Sequence, residues 1–415
     1  MLIFAGMVVQ YLPGGAAEKN IENSCKTFNI EYIYPSFNGR AADGYTDIVM
    51  FLVSSSKPDE ASWKRFFTSP IYTYLDDEYI STGYKIMPIQ ALCSPSKYYR
   101  ASYFRYWHGY QIILRPLLSF TDYEGMRKLN IYLQPFLFVV LIYLFCRRKA
   151  YGLILGWILS YLIFSPDAMP YNITYSVIYY ISVISAILLM IYKEKIEQYI
   201  GWPIFFMMVG IVTNYFDFLT YPIVSLAVPL TILFYLEPSE NFKDMLKTLI
   251  IIGGCWLFGY AGMWLLRGIL CYFILGDYVI ENIITAVLDR SNSHLFGQPY
   301  PFWMGLEETY KQLTIQPDTV ISIISLCLLS VLAVLYKIKP CIKFAEKKYY
   351  QLLPFVLISM GVFVYCMIVK GHTLQHGIYV YRIWVAFFFP IISMLNFWVL
   401  QAGKKKKSGK RKVIK

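Results

Sequence analysis

Four stretches of this chain hold residues whose types and spacing can do chemistry. NGRAADGYTDIVMFLVSSS places Asp43 and Asp47 four positions apart. On a helix both carboxylates share one face, with Ile48, Met50, Phe51 and Val53 behind them. Paired carboxylates divide acid and base work or hold a cation; the plainer reading makes Asp43 a helix N-cap and Asp47 an exposed acid. In KYYRASYFRYWHGYQIILRPLLSFTDYEGMRKLN, Arg105, His108 and Arg115 follow at spacings of three and seven, a positive stripe among Tyr106, Trp107 and Tyr110. Arginine takes phosphate oxygens through paired donors, and such aromatics settle at the lipid headgroup level. An interfacial amphipathic helix against ordinary headgroups explains that stripe equally well. TNYFDFLTYP carries Asp217, and KGHTLQHGIYVYR carries His372, His376 and Arg382. The histidine pair has i, i+4 spacing but no HExxH glutamate, and glycines at 371 and 377 weaken a helix. A polar, phosphate-facing or interfacial structural role is therefore expected of it, and no tight zinc site.

The elements that must position these residues follow from composition. The chain has 415 residues, 57% hydrophobic and only 15% charged, against about 25% charged in an ordinary soluble domain. Uncharged runs such as ITYSVIYYISVISAILLMIY and VISIISLCLLSVLAVLY approach the roughly 20 residues that a 30 Å bilayer core demands. Backbone groups in that core must be satisfied internally, so these runs are helices. The expected fold is an all-α integral membrane protein of about ten transmembrane helices, a single polytopic domain over 1–401. Spans are predicted at 1–12, 130–146, 150–165, 173–192, 199–213, 223–236, 248–270, 320–336, 351–369 and 384–401. The alternate links and the tail 402–415 hold twenty Lys and Arg, against four in the four later opposite loops. That asymmetry places both termini in the cytoplasm and leaves loops 13–128 and 271–319 outside. The net charge of +12 is thus a topology signal or anionic-lipid contact rather than a nucleic-acid surface. All four chemistry-bearing stretches fall on the outer face.

Several smaller readings complete the picture. The first span offers 12 residues, about 18 Å of helix, and missing N-terminal sequence is the favoured explanation. Cys25 and Cys93 share the first outer loop, so they could pair in an oxidising compartment. Loop 271–319 starts amphipathic and turns polar and Gly/Pro-rich, as an interfacial helix and a mobile segment over a pocket would. Arg267, at the end of a span, is expected to reach the interface. No other Lys, Arg, Asp or Glu is needed inside a span, which argues against an ion-coupled transporter.

At ADGYTD, RYWHGY with LRPLL, NYFDFLTYP and the H-x-x-x-H-x-x-x-Y-x-Y-R segment, the chain resembles bacterial polytopic membrane proteins related to the GT-C glycosyltransferases. The resemblance covers most of the chain, in order. It implies an acidic residue in the first outer loop and a sugar donor linked to polyprenyl phosphate, bound at the outer leaflet of the inner membrane. Asp43 would then be the catalytic base, Asp47 a supporting acid and Asp217 the alternative base. Arg105, His108, Arg115, His372, His376 and Arg382 would face the donor phosphate. Asp43 lies about thirty residues beyond the first span rather than directly after it. The mechanism implied is attack of a deprotonated acceptor hydroxyl, on a glycan or lipid-linked acceptor, at the anomeric carbon, with positive charge on the leaving phosphate. Membrane lipids are the other partners, no nucleotide or nucleic acid is required, and the only cofactor considered is a weakly bound divalent cation at the aspartates. A flippase for lipid-linked saccharide and an O-antigen-type polymerase are the rival readings.

Overall fold

The computed structural model describes residues 1–12, 15–55, 62–73, 89, 92–93, 99–291, 294–295, 298–299 and 301–403. Most of the basic tail, 404–415, lies outside them, as do parts of both long loops. Apart from three short antiparallel ribbons, Ser36–Phe37 with Arg40–Ala41, Pro70–Thr73 with Tyr99–Ser102, and His294–Leu295 with Gln298–Pro299, the regular structure is helical.

Among the described residues, five helices are long and apolar enough to cross a membrane: Tyr123–Arg147, Ile173–Ile200, Phe242–Leu275, Pro317–Tyr336 and Gly377–Ala402. A sixth is added if Ile338–Gln351 and Leu353–Ile368, bent by 63°, act as one span. Leu2–Tyr11, Tyr151–Phe164, Trp202–Phe216 and Ile223–Leu236 are shorter apolar helices. The chain is therefore an all-α protein with the character of a multi-pass membrane protein.

Helix ends are set by side chains. Asp122 accepts from Gly125 N–H at the start of Tyr123–Arg147, and Asn241 from Asp244 N–H at the start of Phe242–Leu275. Where Trp202–Phe216 crosses Phe242–Leu275, two glycines allow contact between backbones. A Cβ at Gly210 would run into the Trp256 carbonyl, and one at Gly259 into that of Met207. The main core lies around Trp157, Tyr175, Tyr179, Tyr221 and Phe389.

The described parts of segment 13–128 are tied down by side chains. Cys25 and Cys93 are joined in a disulfide with Cα atoms 5.9 Å apart. Arg127 meets both Glu31 carboxylate oxygens at 2.6 Å and lies over the Tyr123 ring at 4.1 Å, which fastens the Gly15–Glu31 helix to the Tyr123–Arg147 helix. Arg267 does not reach the interface. It is buried, and its guanidinium donates to the Phe104, Phe66 and Phe67 carbonyls at 2.9, 3.1 and 2.9 Å. A guanidinium with five donors can satisfy carbonyls that a helix end and a loop leave open, and here that demand outweighs hydration.

Candidate functional site

Helix ends and loops gather at one end of the molecule. The Asn172 side chain donates to the Asp43 carbonyl at 2.9 Å, Gly109 N–H to the Tyr215 carbonyl at 3.0 Å, and His372 Nε2 to the Leu219 carbonyl at 2.6 Å. Arg40 reaches across to the Gln312 carbonyl and Thr319 hydroxyl. These contacts carry segments more than 100 positions apart in sequence into one region.

Asp43 and Asp47 do share the start of the Gly44–Ser55 helix, but with different jobs. Asp43 accepts Thr46 N–H at 3.0 Å and Thr46 Oγ1 at 2.5 Å. It is buried, and desolvation pushes its pKa up to about 6, opposed by Thr46 and assisted by the Asp47 charge. Asp47 is fully buried rather than exposed. It receives four bonds: from Ile173 N–H and Thr174 N–H at 2.8 and 2.9 Å, the Thr174 hydroxyl at 2.7 Å and the Tyr123 hydroxyl at 2.6 Å. With Asn172, which accepts Tyr175 N–H, it caps the Ile173–Ile200 helix, where a negative charge also suits the helix dipole. The expected supporting acid is thus a structural cap.

Asp217 sits in a turn of the same chemistry between Trp202–Phe216 and Ile223–Leu236. Its carboxylate accepts Thr220 N–H at 3.0 Å and Thr220 Oγ1 at 2.5 Å, and burial raises its pKa to about 7 against those bonds. Leu219 in this turn has φ 65°, a left-handed value uncommon for a residue with a side chain. That conformation aims its carbonyl at both His372 and the Tyr365 hydroxyl.

A cavity of about 220 Å³ opens beside Asp217, lined also by Arg105, Tyr106, Asn214, Tyr260, Trp264 and Arg290. Arg105 is half-buried, lies over the Tyr103 ring at 5.4 Å, and has no ion pair among the described residues. Arg290 donates to the Tyr106 hydroxyl at 2.6 Å and the Ala286 carbonyl at 2.9 Å. It belongs to the Tyr278–Ser291 helix, whose Ile283, Ala286 and Val287 complete the wall.

The other expected cations divide. Arg105, His108 and Arg115 do not form one helical stripe, because the chain is irregular from Tyr103 to Tyr110 and helical only over Gln111–Leu118. His108 has φ 52°, donates through Nε2 to the Tyr103 carbonyl at 2.6 Å, and accepts the Tyr110 hydroxyl at Nδ1. Burial, then the Arg267 charge, lowers its pKa to about 3. Both of its ring nitrogens are thus occupied inside the protein. Arg115 likewise binds the Val9 and Ser54 carbonyls at 3.2 and 2.7 Å. His372 and His376 lie with rings 4.6 Å apart, and the helix breaks at His376. Burial holds His372 well below the usual histidine range, helped by His376 and Arg290, and lowers His376 to about 4, helped by Arg290. Neither supplies positive charge at neutral pH. Arg382 is fully buried and donates through Nε to the Phe164 carbonyl at 3.0 Å. It lies over the Tyr175 ring at 3.9 Å, and both terminal nitrogens are without a hydrogen-bond partner among the described residues.

Tyrosines connect these groups. Asp43 and Arg382 both act electrostatically on Tyr175, and Arg382 and Asp217 both act on Tyr221. The Tyr379 ring lies 6.1 Å from that of Tyr175 and stacks on His376 at 5.2 Å. Asp43, Arg382 and Asp217 therefore surround one tyrosine cluster, and Arg105 and Arg290 sit on its Asp217 side. Sequence reasoning missed Arg290, although it stands in the last turn of the expected amphipathic segment. The repeated D-x-x-T spacing at Asp43 and Asp217 was the other available signal. Among the described residues no group of three His, Cys, Asp or Glu side chains is placed to hold a metal ion. No protein-family model, curated protein or solved structure matches the chain, so any functional reading rests on this geometry and on the sequence.

Proposed function

We propose that the protein is a membrane glycosyltransferase of GT-C type that moves a sugar from a polyprenyl-phosphate donor to an acceptor at the outer face of the bacterial inner membrane. The observation that carries this reading is the cavity at Asp217, where a buried carboxylate titrating near neutrality shares a wall with Arg105 and Arg290. A base poised near the operating pH deprotonates the acceptor hydroxyl. Two guanidinium groups meet the phosphate, whose charge develops as the glycosidic bond breaks. Asp217 is the base in this reading, Arg105 and Arg290 are the phosphate ligands, and Tyr106 and Tyr260 border the site.

A second arrangement is favoured by Arg382. Its two fully buried terminal nitrogens, unpartnered among the described residues, fit an anion, which would put the phosphate there and the base at Asp43. Both arrangements use one outer compartment. The proposed topology behind them has ten spans, the five long helices, the bent pair taken as one span and the four shorter helices, with both termini in the cytoplasm. Reporter fusions after Lys149, Lys195 and Lys348 should read cytoplasmic, and those at Asn172 and His294 external; reversal at two positions sinks the topology. For the activity, lipid-linked saccharides are profiled in a deletion strain complemented with wild type, Asp217→Asn or Asp43→Asn. Donor should accumulate in the deletion and in the variant that lacks the base. A flippase would instead leave the donor's saccharide trapped on the cytoplasmic side.

A further inference from the structure

On the other face of the Trp202–Phe216 helix from the Asp217 cavity, the helices Tyr123–Arg147, Ile173–Ile200 and Trp202–Phe216 leave a groove of about 840 Å³. Its lining is almost entirely apolar, with Leu133, Ile184, Leu188 and Met208 typical of it. The groove follows one helix from Ile173 to Ile200, roughly 40 Å at 1.5 Å per residue, more than the about 30 Å of a hydrocarbon core. The groove is open along its side and suits an extended hydrocarbon chain, with an acyl chain of one leaflet occupying about half of it.

Its charge is at one end only. Lys195 is the sole ionisable Lys, Arg, Asp or Glu on the lining. Three basic side chains gather there, and two are neutralised: Arg148 pairs with Glu194 at 2.5 Å, and Lys193 pairs with Glu237. Lys195, exposed on the groove edge, has no ion pair among the described residues and only the Tyr192 ring nearby at 5.9 Å. The helix is also distorted at this point. Tyr192 leaves helical geometry at φ −109°, ψ 19°, and Ile196–Ile200 forms a π-turn closed by Gly201 N–H on the Ile196 carbonyl at 2.7 Å. A π-turn of this kind is a common way to close a helix C-terminus. Here the distorted stretch contributes Tyr192, Lys195, Ile196, Tyr199 and Ile200 to the groove mouth.

We infer that this groove binds an anionic phospholipid of the cytoplasmic leaflet, with an acyl chain along the Ile173–Ile200 helix and the phosphate against Lys195. The leaflet assignment rests on the proposed topology. The site is distinct from the transferase compartment, because Asp47 caps the first turn of the same helix and Lys195 lies 22 residues further on, roughly 33 Å away. A phosphate at Lys195 is out of reach of Asp43 and Asp217.

The test needs no turnover, so its failure leaves the transferase reading standing. Full-length protein is reconstituted in nanodiscs of phosphatidylglycerol and phosphatidylcholine with identical chains, extracted into detergent, and weighed by native mass spectrometry. Wild type should keep one phosphatidylglycerol. In Lys195→Gln the preference for phosphatidylglycerol should fall about fivefold, as loss of one interfacial lysine near 1 kcal/mol implies, and Lys195→Arg should restore it. Leu188→Trp, which fills the groove, should remove retained lipid of either headgroup, with monodispersity and melting checked alongside. Equal headgroup preference in wild type and Lys195→Gln, or full retention in a folded Leu188→Trp, overturns the inference. So does wild type that keeps no lipid.

Discussion

Asp43 and Asp217 sit in turns built alike, each accepting the N–H and the hydroxyl of a threonine three residues on. Both are buried, and both pKa values are raised, because the two threonine bonds do not offset the loss of water. Their surroundings differ. Asp43 is backed by the Asp47 charge and by a helix start that Asp47 already caps, and the buried cation on its side is Arg382. Asp217 fronts an open cavity with Arg105 and Arg290, neither of which is held by a carboxylate among the described residues. A D-x-x-T turn by itself makes a capped helix end. Space for a substrate and a cation without a carboxylate partner are what turn one of them into a candidate base.

The sharpest way to break that comparison is neutralisation. Asp217→Asn should lower turnover by roughly 10²- to 10⁴-fold with donor binding nearly intact, whereas Asp43→Asn should cost less than about tenfold, since proton transfer matters mainly in the transition state. The reverse order, read in a purified transfer assay, moves the base to Asp43 and the phosphate to Arg382.

The cations separate the same two sides by a smaller margin. Arg105→Gln and Arg290→Gln should each weaken donor binding by about 10- to 100-fold, in line with about 1.5–3 kcal/mol for a charge-assisted bond. His108→Gln should leave donor affinity unchanged in whatever protein folds, because His108 is neutral and both ring nitrogens are used. Donor titration by calorimetry in detergent decides it.

A pH profile refines the assignment further. A base at Asp217 predicts that kcat/KM rises with pH through about 7, and a base at Asp43 through about 6. Stability runs the other way. A carboxyl whose folded pKa is raised favours the fold fully below its ordinary value near 4 and loses that contribution as pH rises through the folded value. Relative to wild type, Asp217→Asn should therefore gain melting temperature progressively between pH about 4 and 7. A flat difference across that window shows that Asp217 is not held protonated.

The smallest effect contrasts the cap with the candidate base. Asp47→Asn points an amide N–H₂ at helix N–H donors and should destabilise the fold by about 1–3 kcal/mol, more than Asp43→Asn, which loses only its threonine bonds. Thermal melts of the two variants in one detergent give the comparison directly.

What the sequence determined by itself is what local pattern and composition control. Long uncharged runs had to become helices, because lipid leaves no other partner for their backbone, and Ile173–Ile200 and Pro317–Tyr336 are where those runs lie. The amphipathic start of loop 271–319 became the Tyr278–Ser291 helix by the same periodic logic. Side-chain roles were not legible, because a role depends on which donors other segments bring. Asp43 and Asp47 look like a pair in the sequence, yet Thr174, Ile173 and Tyr123, all more than 70 positions away, made Asp47 a cap. Arg105, His108 and Arg115 look like a stripe, yet the Val9, Ser54 and Tyr103 carbonyls claimed two of the three. Arg290 looked like one of two basic residues in a long loop, and only packing against Tyr106 set it opposite Asp217. Burial decides these cases: once a polar group leaves water it takes whichever partner the fold delivers, and that delivery is a property of the tertiary structure alone.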